Sequence, residues 1–381
     1  MGSLDGVEGP GSEFFFSKLV SDSRFAPYLQ EANNDVQKAR ELYLWAGEVA
    51  SAGLELLAHF EVGLRNVIDK ALREHFEHDA GSVPWIFSRN PLIGEGFRER
   101  VEDTREGLSP HHRDSREQIT ANLHFGFWTR MLGKGNDELW RLCLQRAFPY
   151  ARSRSEVGAA VEGIRNFRNR VAHHDSILDT DVPFECDRIF AVANYVDPAF
   201  EHFLKAVDRV ESLYNRRPTE PADTLLVPGK KEWELYKKTS VYVCKSGRTF
   251  RPVRHLAFYV DRKIQTEIPA VKYRQDNITW NLNEARLLRK EAKDRNRPEL
   301  RKIAQAIEEL SQNGWCDGSG VEGRYQAFVL TSKDETQPLG AHRTLPSEIE
   351  NTASGKGSGW VTKQRYLYLE RLMQQGAAYL A

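Results

Sequence analysis

From Asp35 to Phe76 the chain has no proline, and its apolar residues fall on one face of a helix. Leu42, Trp45, Val49, Ala52, Leu56, Phe60, Leu64, Val67 and Leu72 recur three to five positions apart, which is the amphipathic helical period. Asn33-Asn34-Asp35 stands just before the run and supplies N-cap chemistry. This stretch is predicted as one long helix or two with a break. A chain built around such an element must find other helices to cover its apolar stripe.

The following segments meet that need. Residues 79–113 are rich in Gly, Pro and charge, so loops with a short helix are expected. Helices are predicted over Gln118–Leu132, Glu138–Phe148, Ser155–His174 and Asp187–Leu213, the last interrupted near Asp197-Pro198. The aromatic cluster Phe125, Phe127 and Trp128 reads as core rather than as a stacking platform. The pattern then changes. Thr239–Cys244, His255–Val260 and Tyr325–Thr331 are short β-branched and aromatic runs, hence strands. Leu282–Leu310 reads as helical with a break near Asn296-Arg297-Pro298, and Lys363–Leu380 as a closing helix. The expected architecture is an N-terminal all-α helical bundle followed by a smaller α+β domain. Residues 1–13 read as a flexible tail and Asn351–Gly359 as a flexible loop. Two prolines in the polar run around Pro218 and Pro221 mark 216–224 as a linker. That divides the chain into 14–215 and 225–381.

Charge follows the same division. The 54 Lys+Arg and 54 Asp+Glu cancel over 381 residues. Residues 1–220 hold 27 basic against 35 acidic side chains, and residues 221–381 hold 27 against 19. A neutral total therefore excludes no polyanionic partner, because the basic excess is concentrated in the second half. Cys143, Cys186, Cys244 and Cys316 form no CxxC pair and no zinc set, which fits a reducing compartment. With no apolar run of membrane-spanning length and no leader pattern, a cytoplasmic protein with no membrane partner is expected.

The sharpest local signal is Arg165-Asn166-Phe167-Arg168-Asn169-Arg170-Val171-Ala172-His173-His174-Asp175. On a helix Asn169 and His173 share a face at i,i+4, whereas Arg168 and His173 lie roughly 140° apart. An imidazole can move protons near neutral pH. A guanidinium can stabilise charge on a phosphate, and an amide can orient either group. These functions suit RNA cleavage, in which the 2′-hydroxyl is the nucleophile and no metal or other cofactor is needed.

The segment Arg168–His173 resembles the RNxxxH motif of HEPN domains, in particular their abortive-infection (Abi-like) branch. The resemblance extends, in order, over Arg24–Leu29, Ala39–Trp45, His59–Asn66, Phe125–Trp128, Leu139-Trp140 through Ala147-Phe148, and Arg168–Asp175, covering residues 14–215. It implies an all-α, usually dimeric, metal-independent endoribonuclease of phage defence or of a toxin system, with a composite cleft where two motif helices meet. By position it makes Arg168 and His173 the catalytic pair, with Asn169 in support. Glu61, Arg65, Asn66 and His174 become supporting or substrate-binding residues. Glu61 and Arg65 also stand at i,i+4, so a local ion pair is an equal reading. Other readings remain open: an RNA-binding regulator that does not cut, or a toxin held inactive by an antitoxin protein, an RNA or a covalent modification. A guide RNA or a phage trigger would then be a further partner.

In the second domain Lys245, Arg248, Arg251 and Arg254 surround Phe250, and Tyr259, Arg262 and Lys263 follow. Basic side chains interleaved with aromatics suit RNA binding by phosphate contact and base stacking. The alternative is a basic edge strand, whose charge blocks edge pairing.

Overall fold

The structure is a computed structural model that describes residues 10–77, 83–312, 323–333, 342–352, 360 and 364–380. The chain divides between Thr219 and Glu220 into two compact units, a helical one and an α+β one.

The helical unit contains α1 (Pro10–Phe14), α2 (Asp22–Glu31), α3 (Val36–Phe76), α4 (Glu95–Leu108), α5 (Arg116–Asn122) and α6 (Phe125–Met131). It continues with α7 (Asp137–Leu142), α8 (Arg154–Ala172), α9 (Val182–Val196), α10 (Pro198–Val207) and α11 (Val210–Tyr214). The long apolar run is one unbroken helix of 41 residues, α3, capped by the Asp35 carboxylate, which accepts the Lys38 N–H. At a rise of 1.5 Å per residue it is about 60 Å long. Its buried stripe serves one continuous core shared with α6, α8 and α9. In that stripe Ile68 takes the buried place that periodicity assigns to Val67, which is half-buried. Phe125, Phe127 and Trp128 lie in the same core.

Several expected boundaries move. Pro10–Glu13, expected in a flexible tail, belong to α1, while residues 1–9 lie outside the described residues. Gln118–Leu132 is two short helices, because Leu123 is extended and His124 starts a second cap, its Nδ1 accepting the Phe127 N–H. Glu138–Phe148 splits likewise into α7 and a 3₁₀ turn. Residue 217, expected in the linker, is anchored in the helical unit. Arg217 pairs with buried Glu31 at 2.6 Å and lies over the Trp45 ring.

The second unit contains β1 (Thr224–Pro228), α12 (Lys230–Thr239), β2 (Val241–Lys245), β3 (His255–Val260), β4 (Lys263–Ile264), β5 (Glu267–Ile268) and β6 (Val271–Thr279). After these come α13 (Leu282–Asp294), α14 (Pro298–Gln312), β7 (Arg324–Leu330), β8 (Arg343–Thr344), β9 (Ile349–Glu350), β10 (Arg365–Leu367) and α15 (Leu369–Gln375). Its sheets run β10-β1-β3-β4-β9, β2-β7-β6 and β5-β8. Among the described residues only β1 and β3 pair in parallel; the connection between them carries α12 and β2. The break at Asn296–Pro298 falls where composition puts it, between α13 and α14.

The sequence reading finds β2, β3 and β7, and the longest strands that it misses are β1 and β6. β1 abuts the proline-rich linker, and β6 is polar with irregular register, including a left-handed Asn277. The expected closing helix Lys363–Leu380 is instead strand β10 followed by α15 and a 3₁₀ turn. Tyr366 and Leu367 pair with β1, and that pairing overrides the local helical pattern. Residues 353–359 of the expected loop lie outside the described residues. Among the described residues no helix is long and apolar enough to cross a membrane.

Candidate functional site

Helix α8 carries the Arg–Asn–His motif and is held from both ends. At its start the Ser153 hydroxyl accepts the Glu156 N–H, and the Glu156 carboxylate accepts the Arg152 N–H. At its end His173 is the C-cap and His174 adopts the left-handed conformation, φ +57°. The His174 N–H then reaches the Val171 carbonyl, and the Asp175 N–H reaches the Arg170 carbonyl at 2.9 Å. That is a Schellman motif with histidine where glycine is usual, at a cost of about 1–2 kcal/mol in backbone conformation. The strained residue is stapled from outside: the Arg24 guanidinium of α2 donates to the His174 carbonyl at 2.5 Å.

Helix α8 runs against α3 with Gly53 at their crossing, where the Phe167 ring comes 3.6 Å from the position of a Cβ. On one side of this contact Arg168 Nε donates to Glu61 Oε1 at 3.1 Å, both side chains partly exposed. His173 stands five residues, about 7.5 Å of helix, further on. There α2, α3 and the end of α8 enclose a pocket of about 360 Å³. Ala46, Gly47, Ala50 and Ser51 form its α3 wall, Tyr28 and Tyr43 contribute rings, and Arg24, His173, His174 and Asp175 bring charge and proton-transfer capacity. His173 is exposed, and its imidazole has no hydrogen-bond partner among the described residues.

The tyrosines and Arg24 form a local network. Burial pushes the Tyr28 phenol above its ordinary range, against the opposing effect of a hydrogen bond with Ser176. A hydrogen bond to Tyr43 holds the Arg24 guanidinium above its ordinary value, with further support from the Asp175 charge. Arg24 therefore stays cationic in the pocket at any working pH.

Some sequence-predicted residues meet here and others do not. His173 and His174 line the pocket; Arg168, Asn169 and Glu61 lie outside it. Asn169 is half-buried one turn before the cap, and its carbonyl accepts the His173 N–H. The Glu61–Arg65–Asn66 group divides. Glu61 turns to Arg168 instead of forming the i,i+4 pair with Arg65. Arg65 donates to Asn66 Oδ1 and to the Ala121 carbonyl in the last turn of α5, so it ties two helices together. The cation that joins His173 in the pocket is Arg24. Its sequence neighbourhood enters the expected family resemblance, but nothing local connects it with a histidine 149 positions later.

In the second unit Phe250 is buried in the core and is no platform for a base. Arg248 and Arg274 lie over its ring, and Arg251 lies over Tyr366. Lys245 and Arg254 are exposed, Lys245 at the end of edge strand β2. Among the described residues no group of three or more His, Cys, Asp or Glu side chains could hold a metal ion.

The class defined by these features is a helical unit with a cationic, aromatic pocket at a helix C-cap, followed by an α+β unit. Compared with family models, curated proteins and solved structures, the chain finds no match.

Proposed function

We propose that the helical unit is a metal-independent endoribonuclease of a phage-defence or toxin system, with His173 as its proton-transfer residue. One observation carries the reading: the exposed, uncommitted His173 imidazole shares a pocket with the Arg24 cation. In the reaction the ribose 2′-oxygen bonds to the adjacent phosphorus and the bond to the 5′-oxygen breaks. The 2′-hydroxyl proton passes to a base, and the departing 5′-oxygen takes a proton from an acid. The products are a 2′,3′-cyclic phosphate and a 5′-hydroxyl. Imidazole serves either proton step near neutral pH, and guanidinium groups stabilise the phosphorane charge. In a homodimer Arg168 of one protomer would stand beside His173 of the other, with Asn169 orienting the imidazole.

The test is cleavage of end-labelled RNA in EDTA by the wild type, Arg168→Ala and His173→Ala, with end chemistry read by phosphatase and kinase treatment. Loss of about 10²–10⁴-fold in rate is expected for His173→Ala. Undiminished cleavage in both variants would refute the proposal. Light scattering tests the dimer, and a strict monomer removes the composite site. A non-cleaving RNA-binding regulator is the second reading. It is favoured by the Arg168–Glu61 ion pair, which neutralises one of the two motif cations; RNA retained but left intact would select it.

A further inference from the structure

The pocket beside His173 is small and lined by rings, small side chains and charge. Its volume of about 360 Å³ is at the small end of ligand pockets, which run from roughly 300 to 1,000 Å³. That suits one nucleotide unit rather than a length of duplex. The α3 wall is made of Ala46, Gly47, Ala50 and Ser51, and no atom lies within 4 Å of where a Gly47 Cβ would stand. Tyr43 closes one end of that wall. Its ring is held edge-on or tilted against Phe16, Phe25 and Tyr28, at centroid distances of 5.4, 6.4 and 5.1 Å. It is therefore a fixed ring on a rigid helix. The permanent cation of Arg24 lies on the same pocket, opposite in charge to a phosphate. An aromatic ring, a wall of small side chains and a permanent cation, with Asp175 beside it, are complementary to a base with its phosphate.

We infer that this pocket binds the unstacked base of a single-stranded RNA nucleotide adjoining the scissile phosphate, so that cleavage is base-selective. The inference rests on the nuclease reading for its position next to the cut, and on the pocket alone for base binding. A duplex would have to surrender the nucleotide first, so single-stranded segments are the substrate class.

Gly47 offers a direct test. Its backbone is ordinary helix and the space above it is open, so Gly47→Leu fills the pocket while improving helix propensity. Gly47→Ala is the control that adds the same backbone benefit with little bulk. Full-length wild type and both variants are titrated calorimetrically with the four nucleoside 3′-monophosphates and with inorganic phosphate, and their thermal melts are compared. The wild type should bind at least one nucleotide tenfold or more tighter than phosphate. Gly47→Leu should lose at least tenfold of that affinity with an undiminished melting temperature, and Gly47→Ala should keep it. Tyr43→Leu is the second variant and should weaken the same nucleotide. Sequenced RNA ends should show a base skew in the wild type that Gly47→Leu flattens. Equal binding of phosphate and all nucleotides, or wild-type affinity in a well-folded Gly47→Leu, overturns the inference. The two readings fail separately. Nucleotide binding lost in Gly47→Leu, without any RNA cleavage, keeps the base pocket and removes the nuclease. His173-dependent cleavage without base skew keeps the nuclease and removes the pocket.

Discussion

The two units lean on arginine differently, although Arg217 of the helical unit also lies over Trp45, and Arg289–Glu308 and Arg343–Glu370 join elements of the α+β unit. In the acidic helical unit arginines reach across to carboxylates on other elements: Arg168 to Glu61, Arg116 to Asp69, Arg154 to Asp137 and Arg217 to Glu31. In the basic α+β unit several lie on aromatic faces. Arg274 sits 5.2 Å from both the Phe250 and Phe328 centroids, Arg251 over Tyr366, and Arg371 over Tyr368. The charge balance accounts for the difference. Where acids outnumber bases a guanidinium finds a carboxylate, and where bases are in excess the ring quadrupole is a remaining partner. The cores differ in parallel. One long helix organises a single core in the first unit, while three separate clusters share the short strands of the second.

The largest test of this contrast is functional. If catalysis belongs to the helical unit alone, His173→Ala should lower RNA cleavage by about 10²–10⁴-fold. Lys245→Glu with Arg254→Glu should leave the rate at saturating RNA unchanged. A collapse of that saturated rate in the double variant would place the chemistry across both units. Next in size is the core. Phe60 is fully buried in α3, and Phe60→Ala should cost about 3–5 kcal/mol. Hydrogen exchange on the full chain should show the loss throughout the helical unit, because its core is continuous. Protection lost only near residue 60 would contradict that continuity.

Single arginines sharpen the comparison further. Arg116→Met leaves the Asp69 carboxylate, only 14% exposed, without its 2.6 Å partner, and about 2–3 kcal/mol should be lost in chemical denaturation. Arg371→Met removes a cation from the Tyr368 ring face and should cost about 0.5–1 kcal/mol. Equal costs would break the distinction between the two kinds of arginine.

Thiols should show the units behaving alike. Burial pushes Cys143 in the helical unit and Cys244 in the α+β unit up to about 12, from an ordinary value of 9.0. Between these values the unfolded chain carries thiolates while the folded chain retains its protons. Stability is therefore complete below pH 9 and falls as pH rises toward 12, by at most about 1.4 kcal/mol per pH unit for each thiol. Melting curves from pH 8 to 11 check the slope; a flat profile refutes it. The smallest effect concerns steering. The exposed Lys245 and Arg254 should each change the salt dependence of RNA affinity by about one phosphate contact. An unchanged salt slope in the double variant would remove them from the RNA path.

Periodicity made α3, α8 and the α13–α14 break legible, because apolar spacing and capping act within a few residues. Strand β1 and strand β10 were not, since β10 becomes a strand by pairing with β1 about 140 positions earlier, and β1 by pairing with both β10 and β3. The site divides in the same manner. The motif residues Arg168, Asn169 and His173 could be read from one stretch of helix. That Glu61 would take Arg168 rather than Arg65 could not, because an i,i+4 rule sees only one helix and the winning partner sits on another.

The sequence by itself determined that this chain is two units of opposite charge, and that one helix carries a pair of histidines at its end. Helical period, capping chemistry and charge counts are local or additive, so they survive without coordinates. Only the tertiary structure decided what faces those histidines. The staple from Arg24 to the His174 carbonyl and the rings of Tyr28 and Tyr43 come from helices more than 120 positions earlier in the chain. Which of their side chains meet at the pocket depends on how α2, α3 and α8 pack, and no spacing rule encodes that.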